Sequence, residues 1–141
     1  MKSSSFSTAY DVLRSSDLDC IAFVPGSNFR KLLGQDFHLI ERPLVIILQA
    51  EGRPIAIIPS LEMDSFENTG FEGDIFSWRD EKGYAEAFQL AAAAAPHLKK
   101  AKRFGLEAQR MRVFEQMALA EAFPNAQFVD AHAEFSTIRL R

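Results

Sequence analysis

The sequence is poor in cysteine and has no long apolar run. Its 141 residues include one cysteine, Cys20, which excludes a disulfide within the chain and favours a reducing compartment. No stretch approaches the roughly 18 apolar residues of a membrane-spanning helix, and the N-terminal MKSSSFSTAY lacks the apolar region of a secretory signal. The net charge is -3, and the basic residues form no stripe. We therefore expect a soluble cytoplasmic domain with neither nucleic acid nor membrane as a partner.

Motifs that bind nucleotides, metals or acyl groups are also missing. The sequence contains no G-x-G-x-x-G, Walker or G-x-S-x-G motif, no H-x-x-x-H and no C-x-x-C. His38, His97 and His132 are far apart in the chain, and none is spaced from a second ligand as in a helical metal site. Cys20 opens an apolar segment, which favours a buried small side chain over a nucleophile. We therefore expect no catalytic residue and no metal site built from this chain alone.

Two apolar runs near the middle of the chain predict a β-hairpin. Leu44 to Leu48 and Ile55 to Ile58 are rich in Val and Ile, and Gly52 in the loop between them is free to take positive φ. Neither run alternates apolar with polar residues, which predicts burial on both faces and a place inside a sheet covered by helices.

Helical and strand patterns alternate around this hairpin. Ser27 or Asn28 is expected to cap a short helix that Gly34 ends, and Asp80 to cap a long helix. Further helices are expected from Ser60 to about Asn68 and from Met111 to Phe123, the latter with Phe114, Met117, Ala118 and Glu121 on one face. The pattern predicts one α/β domain over residues 1–141. Its architecture is a three-layer α/β/α arrangement on a mixed sheet of about five or six strands with a central antiparallel hairpin.

Three acidic residues at predicted strand ends suggest an alternative. Asp19 precedes the first strand, Glu107 ends another and Asp130 follows a third. Carboxylates brought together at such ends bind Mg²⁺ in ribonuclease H-like nucleases. Their neighbours are Leu, Ala and Phe rather than basic residues, and acidic residues commonly cap helices after strands, so this remains the minor alternative.

Several segments, in order, resemble the N-terminal domain of the creatinase/prolidase/aminopeptidase P family, the "pita-bread" metallopeptidases that cleave Xaa-Pro bonds. The matching segments are Ser27–Gly34, Glu41–Pro43, Glu51–Pro54, Pro59–Glu62, Trp78–Asp80, Phe104–Glu107, Phe128–Ala131 and Ile138–Leu140. Each motif is weak alone, whereas the ordered series over most of the chain is fairly specific.

The resemblance implies a non-catalytic role. In this family two divalent ions (Mn, Co or Zn) are held by two Asp, one His and two Glu in a downstream catalytic domain, which we expect to be absent from residues 1–141. The domain alone should not hydrolyse peptides. The resemblance implies that it packs on the catalytic domain of the same chain, supports a homodimer or higher homo-oligomer and narrows access to the active site. A freestanding binding or assembly module of the same fold is the alternative.

One loop of the resemblance has a potential role in substrate binding. Prolidase-like members carry D-P-H-E-R before the hairpin, in a loop that reaches an active site; here it runs from Gln35 to Arg42. Asp36, His38 and Arg42 are thus candidates for contact with a peptide terminus in a full-length protein. Phe37 replaces the proline, and two extra residues at 39–40 precede Glu41. The alternative is a polar surface loop with Arg42 in a structural ion pair.

Overall fold

The computed structural model of the chain describes residues 3–38 and 41–141. Helices and strands alternate along these residues, as the sequence predicts. The helices are α1 (Ser3–Ser15), α2 (Ser27–Leu33), α3 (Met63–Glu67), α4 (Ala85–Ala94), α5 (Pro96–Lys99), α6 (Val113–Ala122) and α7 (His132–Leu140). The strands are β1 (Cys20–Phe23), β2 (Val45–Gln49), β3 (Ile55–Pro59), β4 (Asp74–Trp78), β5 (Arg103–Leu106) and β6 (Gln127–Asp130). None of the helices described is long and apolar enough to cross a bilayer.

The strands form one mixed sheet in the order β4-β3-β2-β1-β5-β6. Strand β2 pairs antiparallel with both β1 and β3, whereas β1–β5, β5–β6 and β3–β4 are parallel pairs. Among the strands described, β2 therefore runs against all the others. As a result, the carboxyl ends of β1, β3, β4, β5 and β6 lie along one edge of the sheet, where open α/β sheets usually bind ligands.

The predicted hairpin is confirmed as β2 and β3, and it lies inside the sheet. Val45 faces Ile57 and Ile47 faces Ile55, and every residue of both strands is buried. Gly52 in the connecting loop has φ 129°, a conformation that residues with a Cβ rarely adopt. The unbroken apolar runs therefore reflect burial on both faces of the sheet.

Two apolar cores in the described chain cover the two faces of the sheet. Cys20, Ala22, Ile47 and Ile55 pack with residues of α4, α5 and α6. Ile21, Phe23, Ile46 and Leu48, which alternate with them, pack with residues of α1, α2, α3 and α7. The three-layer α/β/α prediction is confirmed. Cys20 is fully buried in the first core, and desolvation strongly raises the pKa of its thiol.

Some predicted helix ends are wrong, and two of the side chains expected to act as caps, Asn28 and Asp80, have other partners. Asp80 does not cap α4, which begins at Ala85 after Tyr84. Neither Ser27 nor Asn28 caps α2, whose N-cap is Gly26. Ser60 opens a 3₁₀ turn, Ser60–Glu62, rather than an α-helix. The predicted end of α2 is confirmed, since Gly34 has φ 77° and donates its N–H to the Arg30 carbonyl over 2.7 Å.

Helix α6 is also shorter than predicted and rotated relative to the expected face. Met117 is 60% exposed, whereas Glu115, Ala118, Leu119 and Ala122 are buried. Glu115 is buried because its carboxylate accepts hydrogen bonds from the Arg112 backbone N–H (3.0 Å) and guanidinium (3.2 and 3.3 Å). A capping pair of this kind removes a charge from solvent without leaving it unpartnered.

Candidate functional site

The loop singled out from the sequence, residues 35–42, is anchored at its centre by Phe37. The ring of Phe37 is 9% exposed and lies 5.7 Å from the ring of Phe29 and 6.0 Å from that of Phe66, measured between centroids. Residues 39 and 40, the extra residues of the sequence comparison, lie outside the described residues. A buried ring in place of the expected proline means that the loop is held to the domain by packing.

Arg42 at the end of this loop pairs with Asp80, which follows β4. Its Nε donates to Asp80 Oδ1 over 2.8 Å and its Nη2 to Oδ2 over 2.7 Å, a bidentate arrangement. Nη1 donates to Glu41 over 3.0 Å. The hydrogen bond with Asp80 raises the pKa of Arg42, and the same bond lowers the pKa of Asp80. This pair explains why Asp80 is not a helix cap: it ties the loop to the end of β4.

Asp36 and His38 lie on the surface of the same loop. Asp36 forms an exposed ion pair with Arg30 at 3.5 Å, and the His38 side chain is exposed. In the described parts of the chain, no hydrogen bond or ion pair joins any two of Asp36, His38 and Arg42. The candidates thus share a loop, at the sheet edge that holds the carboxyl ends of the parallel strands, but they form no cluster with one another.

The three acidic residues of the nuclease alternative do not meet. Asp19 lies at the start of β5, where its Oδ2 accepts the backbone N–H groups of Lys102 and Arg103, both at 2.8 Å. Glu107 follows the end of β5, four residues further along, about 13 Å at strand spacing. Asp130 accepts the His132 N–H over 2.9 Å. No described group of three or more His, Cys, Asp or Glu residues is arranged to hold a metal ion.

A second site lies at the carboxyl ends of β1, β5 and β6, and its central contact joins Asn28 to Glu107. Asn28 Nδ2 donates to Glu107 Oε2 over 2.7 Å, and the two residues are only 1% and 5% exposed. The other oxygen of each side chain, Asn28 Oδ1 and Glu107 Oε1, is buried with no hydrogen-bond partner among the described atoms. Burial raises the pKa of the Glu107 carboxyl. The hydrogen bond from Asn28, the charge of Arg110, a hydrogen bond from the Val24 backbone N–H and the charge of Arg139 lower it by less.

This pair borders a cavity of about 230 Å³. The remaining lining residues come from the turn after β5 and from α7: Ala108, Gln109, Arg110, His132, Phe135 and Arg139. Arg110 Nε is 3.8 Å from Glu107 Oε2, too long for a hydrogen bond. Two arginines and a histidine therefore surround a nearly buried carboxyl.

Sequence reasoning found parts of this cavity but not the whole. The sequence marks Asn28 as a possible cap, Glu107 as a strand-end carboxylate and Arg139 as part of the segment Ile138–Leu140, whereas it marks Arg110 in no motif. Asn28 and Glu107 are 79 positions apart, so no local period connects them. The available signal was that both follow strands predicted to be buried, since the ends of neighbouring parallel strands meet at one edge.

The family described as the Creatinase/Prolidase N-terminal domain matches residues 7–141. No curated protein sequence matched the chain.

Solved structures with a similar fold include three peptidases or their parts. A proline dipeptidase structure from Streptococcus pneumoniae has a TM-score of 0.81 and 21% identity, with 99% of this chain and 98% of that chain covered. The N-terminal domain of an Xaa-Pro dipeptidase from Lactobacillus brevis has a TM-score of 0.77 and 16% identity, covering 92% and 98%. A dipeptidase from Mycobacterium ulcerans has a TM-score of 0.77 and 23% identity, covering 96% of this chain but 36% of that chain. At such identities the likeness is one of fold.

Proposed function

Because the chain belongs to the creatinase/prolidase N-terminal domain family, we propose that it is the non-catalytic N-terminal domain of an Xaa-Pro dipeptidase-like metallopeptidase. One observation carries this proposal. The chain corresponds to almost all of the excised N-terminal domain from Lactobacillus brevis but to 36% of the longer dipeptidase chain from Mycobacterium ulcerans. In the proposed parent protein, the domain packs on the catalytic domain of the same chain, supports homo-oligomers and narrows access to substrate.

The two divalent ions expected for such a peptidase do not fit the residues described in this chain. Metal sites that activate water need several His, Asp or Glu ligands in one place. The described residues offer no such group, and no step of peptide hydrolysis is derived from them. We propose that the ligands lie in the catalytic domain.

The first test is an assay of the 141-residue protein with Xaa-Pro dipeptides in the presence of Mn²⁺, Co²⁺ or Zn²⁺. We expect no turnover. The coding sequence after position 141 separates the accessory domain of a peptidase from a freestanding binding module. A following region with two Asp, one His and two Glu ligands supports the accessory domain. A stop codon there would favour the freestanding module. Metal-dependent turnover by the pure chain would contradict the proposal.

The substrate-binding role of the loop remains a proposal for Asp36, His38 and Arg42. In a full-length enzyme, His38→Ala or Arg42→Ala is expected to lower kcat/KM for short peptides by about tenfold, because a contact with the peptide terminus is lost. The melting temperature of His38→Ala should not change, since the side chain is exposed.

Asp80→Ala is the matched control for Arg42→Ala. It breaks the same bidentate pair, with its bonds of 2.7 and 2.8 Å, but the Arg42 guanidinium itself is still present. If Arg42 contacts the substrate, Asp80→Ala retains most of kcat/KM while Arg42→Ala loses it. Equal losses in the two variants would show that Arg42 acts only by holding the loop to the end of β4.

Oligomerisation is supported by apolar side chains on the surface. Leu61 is 72% exposed and Leu90 51% exposed, and each lines a shallow depression beside Trp78. We propose that this surface is covered in the assembled protein, because exposed leucines of this kind often mark protein contacts. Light scattering of the full-length protein should give a dimer or larger mass, and Leu61→Glu should reduce it. A monomeric wild type would contradict this part of the proposal.

A further inference from the structure

The cavity between α2, the turn after β5 and α7 combines unused hydrogen-bond acceptors with unused cationic donors. Asn28 Oδ1 and Glu107 Oε1 are buried acceptors without a partner. A buried polar atom left in this way costs roughly 1–3 kcal/mol. Native proteins rarely leave such atoms unsatisfied without a reason. Two such acceptors on one hydrogen-bonded pair of side chains favour a ligand that brings a donor, such as an N–H group.

The two arginines that line the cavity, Arg110 and Arg139, have donors left for an anion beyond the charge interaction of each with Glu107. The only ion pair that Arg110 forms with a described residue is the long one of 3.8 Å to Glu107. Arg139 donates to the Ser136 hydroxyl over 3.3 Å and has no carboxylate partner among the described residues. Both guanidinium groups therefore keep donors in the fork geometry that suits a carboxylate.

The position of Arg110 depends on a residue without a side chain. Gly26, just after β1, lies directly under Arg110: an added Cβ would be 2.7 Å from Arg110 Cδ and 2.8 Å from Nε. The backbone of Gly26 is extended at φ 161°, so an added Cβ would conflict only with the flexible end of the Arg110 side chain, which would have to move. Gly26 thus allows the guanidinium to lie across the end of β1, next to Glu107.

We propose that this cavity binds a small zwitterion with adjacent ammonium and carboxylate groups, that is, a free α-amino acid. Its ammonium donates to Glu107 and Asn28, and its carboxylate accepts from Arg110 and Arg139, with His132 at the rim. The volume of about 230 Å³ is below the range of roughly 300–1,000 Å³ typical of drug-sized ligands. The place, at the carboxyl ends of parallel strands, is where α/β sheets bind ligands. The proposal does not rest on the peptidase role proposed above.

The test uses L-alanine and two probes that each lack one of its charged groups. L-Alanine carries both charged groups, propionate lacks the ammonium, and ethylamine lacks the carboxylate. Each is titrated at neutral pH into the ¹⁵N-labelled 141-residue protein, and amide shifts are followed by NMR. We expect saturable shifts with L-alanine at the amides of Asn28, Glu107 to Arg110 and α7. Propionate and ethylamine should bind at least about tenfold more weakly, a loss of about 1.4 kcal/mol.

Variants then separate the cavity from the rest of the surface. Arg139→Gln should weaken L-alanine binding at least about fivefold and, being on an exposed residue, should leave the fold intact. Gly26→Ala should do the same without removing any charge, because it displaces Arg110 from its place. The matched control is Arg79→Gln, which should leave L-alanine binding unchanged. Arg79 is an exposed arginine after β4, the strand at the far end of the sheet from β6.

Three results would overturn the proposal. Equal affinity for propionate and L-alanine would mean that the Glu107 side of the cavity is not used and that the site takes simple anions. Saturable shifts confined to another surface would place the binding elsewhere. Absence of saturation by L-alanine, in a wild-type protein whose spectrum is that of a folded domain, would show that the cavity has no such ligand.

Discussion

At the scale of single residues, the Glu107 carboxyl is a group whose charge depends on its surroundings. Burial raises its pKa above the ordinary value of 4.5, so the folded protein holds this proton more tightly than the unfolded chain does. The stabilisation from that proton is fully present below about pH 4.5 and is lost as the pH rises through the raised pKa of the folded state. At neutral pH, an ionised Glu107 therefore costs stability.

Glu107→Gln tests this sign. Glutamine keeps the size of the side chain but cannot ionise, so the variant does not carry the cost of a buried charge. The difference in unfolding free energy, variant minus wild type, should become more positive from below pH 4.5 to neutral pH. Urea unfolding at a series of pH values measures it. A difference that stays constant with pH would mean that folding does not raise the pKa of this carboxyl.

Ile47 is the residue at which burial has the plainest energetic consequence. It is 0% exposed and lies on β2 between two strands. Ile47→Ala removes buried carbon atoms and leaves a cavity, so it should cost about 2–5 kcal/mol of unfolding free energy. Leu140→Ala, at a residue 86% exposed, is the size-matched control and should change stability by no more than about 0.5 kcal/mol. A small loss at Ile47 would mean that the centre of the sheet repacks.

These residues differ in how far the sequence could predict them. The burial of Ile47 follows from an unbroken apolar run, which is local information. The contact of Asn28 with Glu107 joins positions 79 apart, and that of Arg42 with Asp80 joins positions 38 apart. Side chains that find a distant partner in this way leave no periodic signal. For this reason, the sequence predicts Asp80 as a cap of the nearest helix, whereas its partner is Arg42 in the loop before β2.

At the scale of elements, the end of α2 depends on a left-handed residue. Gly34 has φ 77°, and a Cβ built there would meet no atom within 4 Å. A substitution would therefore act through the backbone dihedral alone. Gly34→Ala should destabilise the domain by about 1–2 kcal/mol, the cost of placing a Cβ in this conformation.

Gly34→Asn is the matched variant, because asparagine tolerates left-handed backbone better than alanine does. It should cost less than Gly34→Ala in the same chemical unfolding experiment. Equal losses in the two variants would mean that the backbone conformation does not explain the effect.

The end of α2 was predictable because the glycine signal is local. The face of α6 was not, since the Arg112–Glu115 cap draws a charged residue inward and leaves Met117 60% exposed.

At the scale of the whole molecule, protection should decrease from the middle of the sheet to its edges. Strands β1 and β2 are buried throughout, whereas β6 at one edge has no fully buried residue and β4 at the other has only Trp78. Native-state hydrogen exchange should give the slowest amides in β1 and β2 and faster ones in β6, because edge strands open with less loss of buried contact. Equal protection of β6 and β1 would contradict this expectation and indicate opening of the sheet as one unit.

The layered architecture was accessible from the sequence, whereas the order of the strands was not. Alternating helix and strand patterns predict helices on both faces of a sheet, and the two apolar cores confirm it. The pairing of β1 with β5 depends on contacts between segments far apart in the chain, which the apolar pattern of each strand does not specify. The cavity proposed to bind an amino acid exists because β1 and β5 are paired, so the sequence predicts only some of its residues and not their arrangement.

The pairing of β1 with β5 also affects how the chain reaches this fold. On one side, β1 pairs with β2, which is nearby in the sequence. On the other side, it pairs with β5, which is synthesised much later. Asp19 and Arg103, which meet where β1 and β5 begin, are 84 positions apart. Closing so long a loop is slow compared with forming the hairpin. During synthesis, β1 therefore stays for a time with unpaired backbone N–H and C=O groups along one edge and apolar side chains on both faces. Newly made chains associate wrongly at strands of this kind. We therefore expect misassociation of this chain to be most frequent in the interval between translation of β1 and translation of β5.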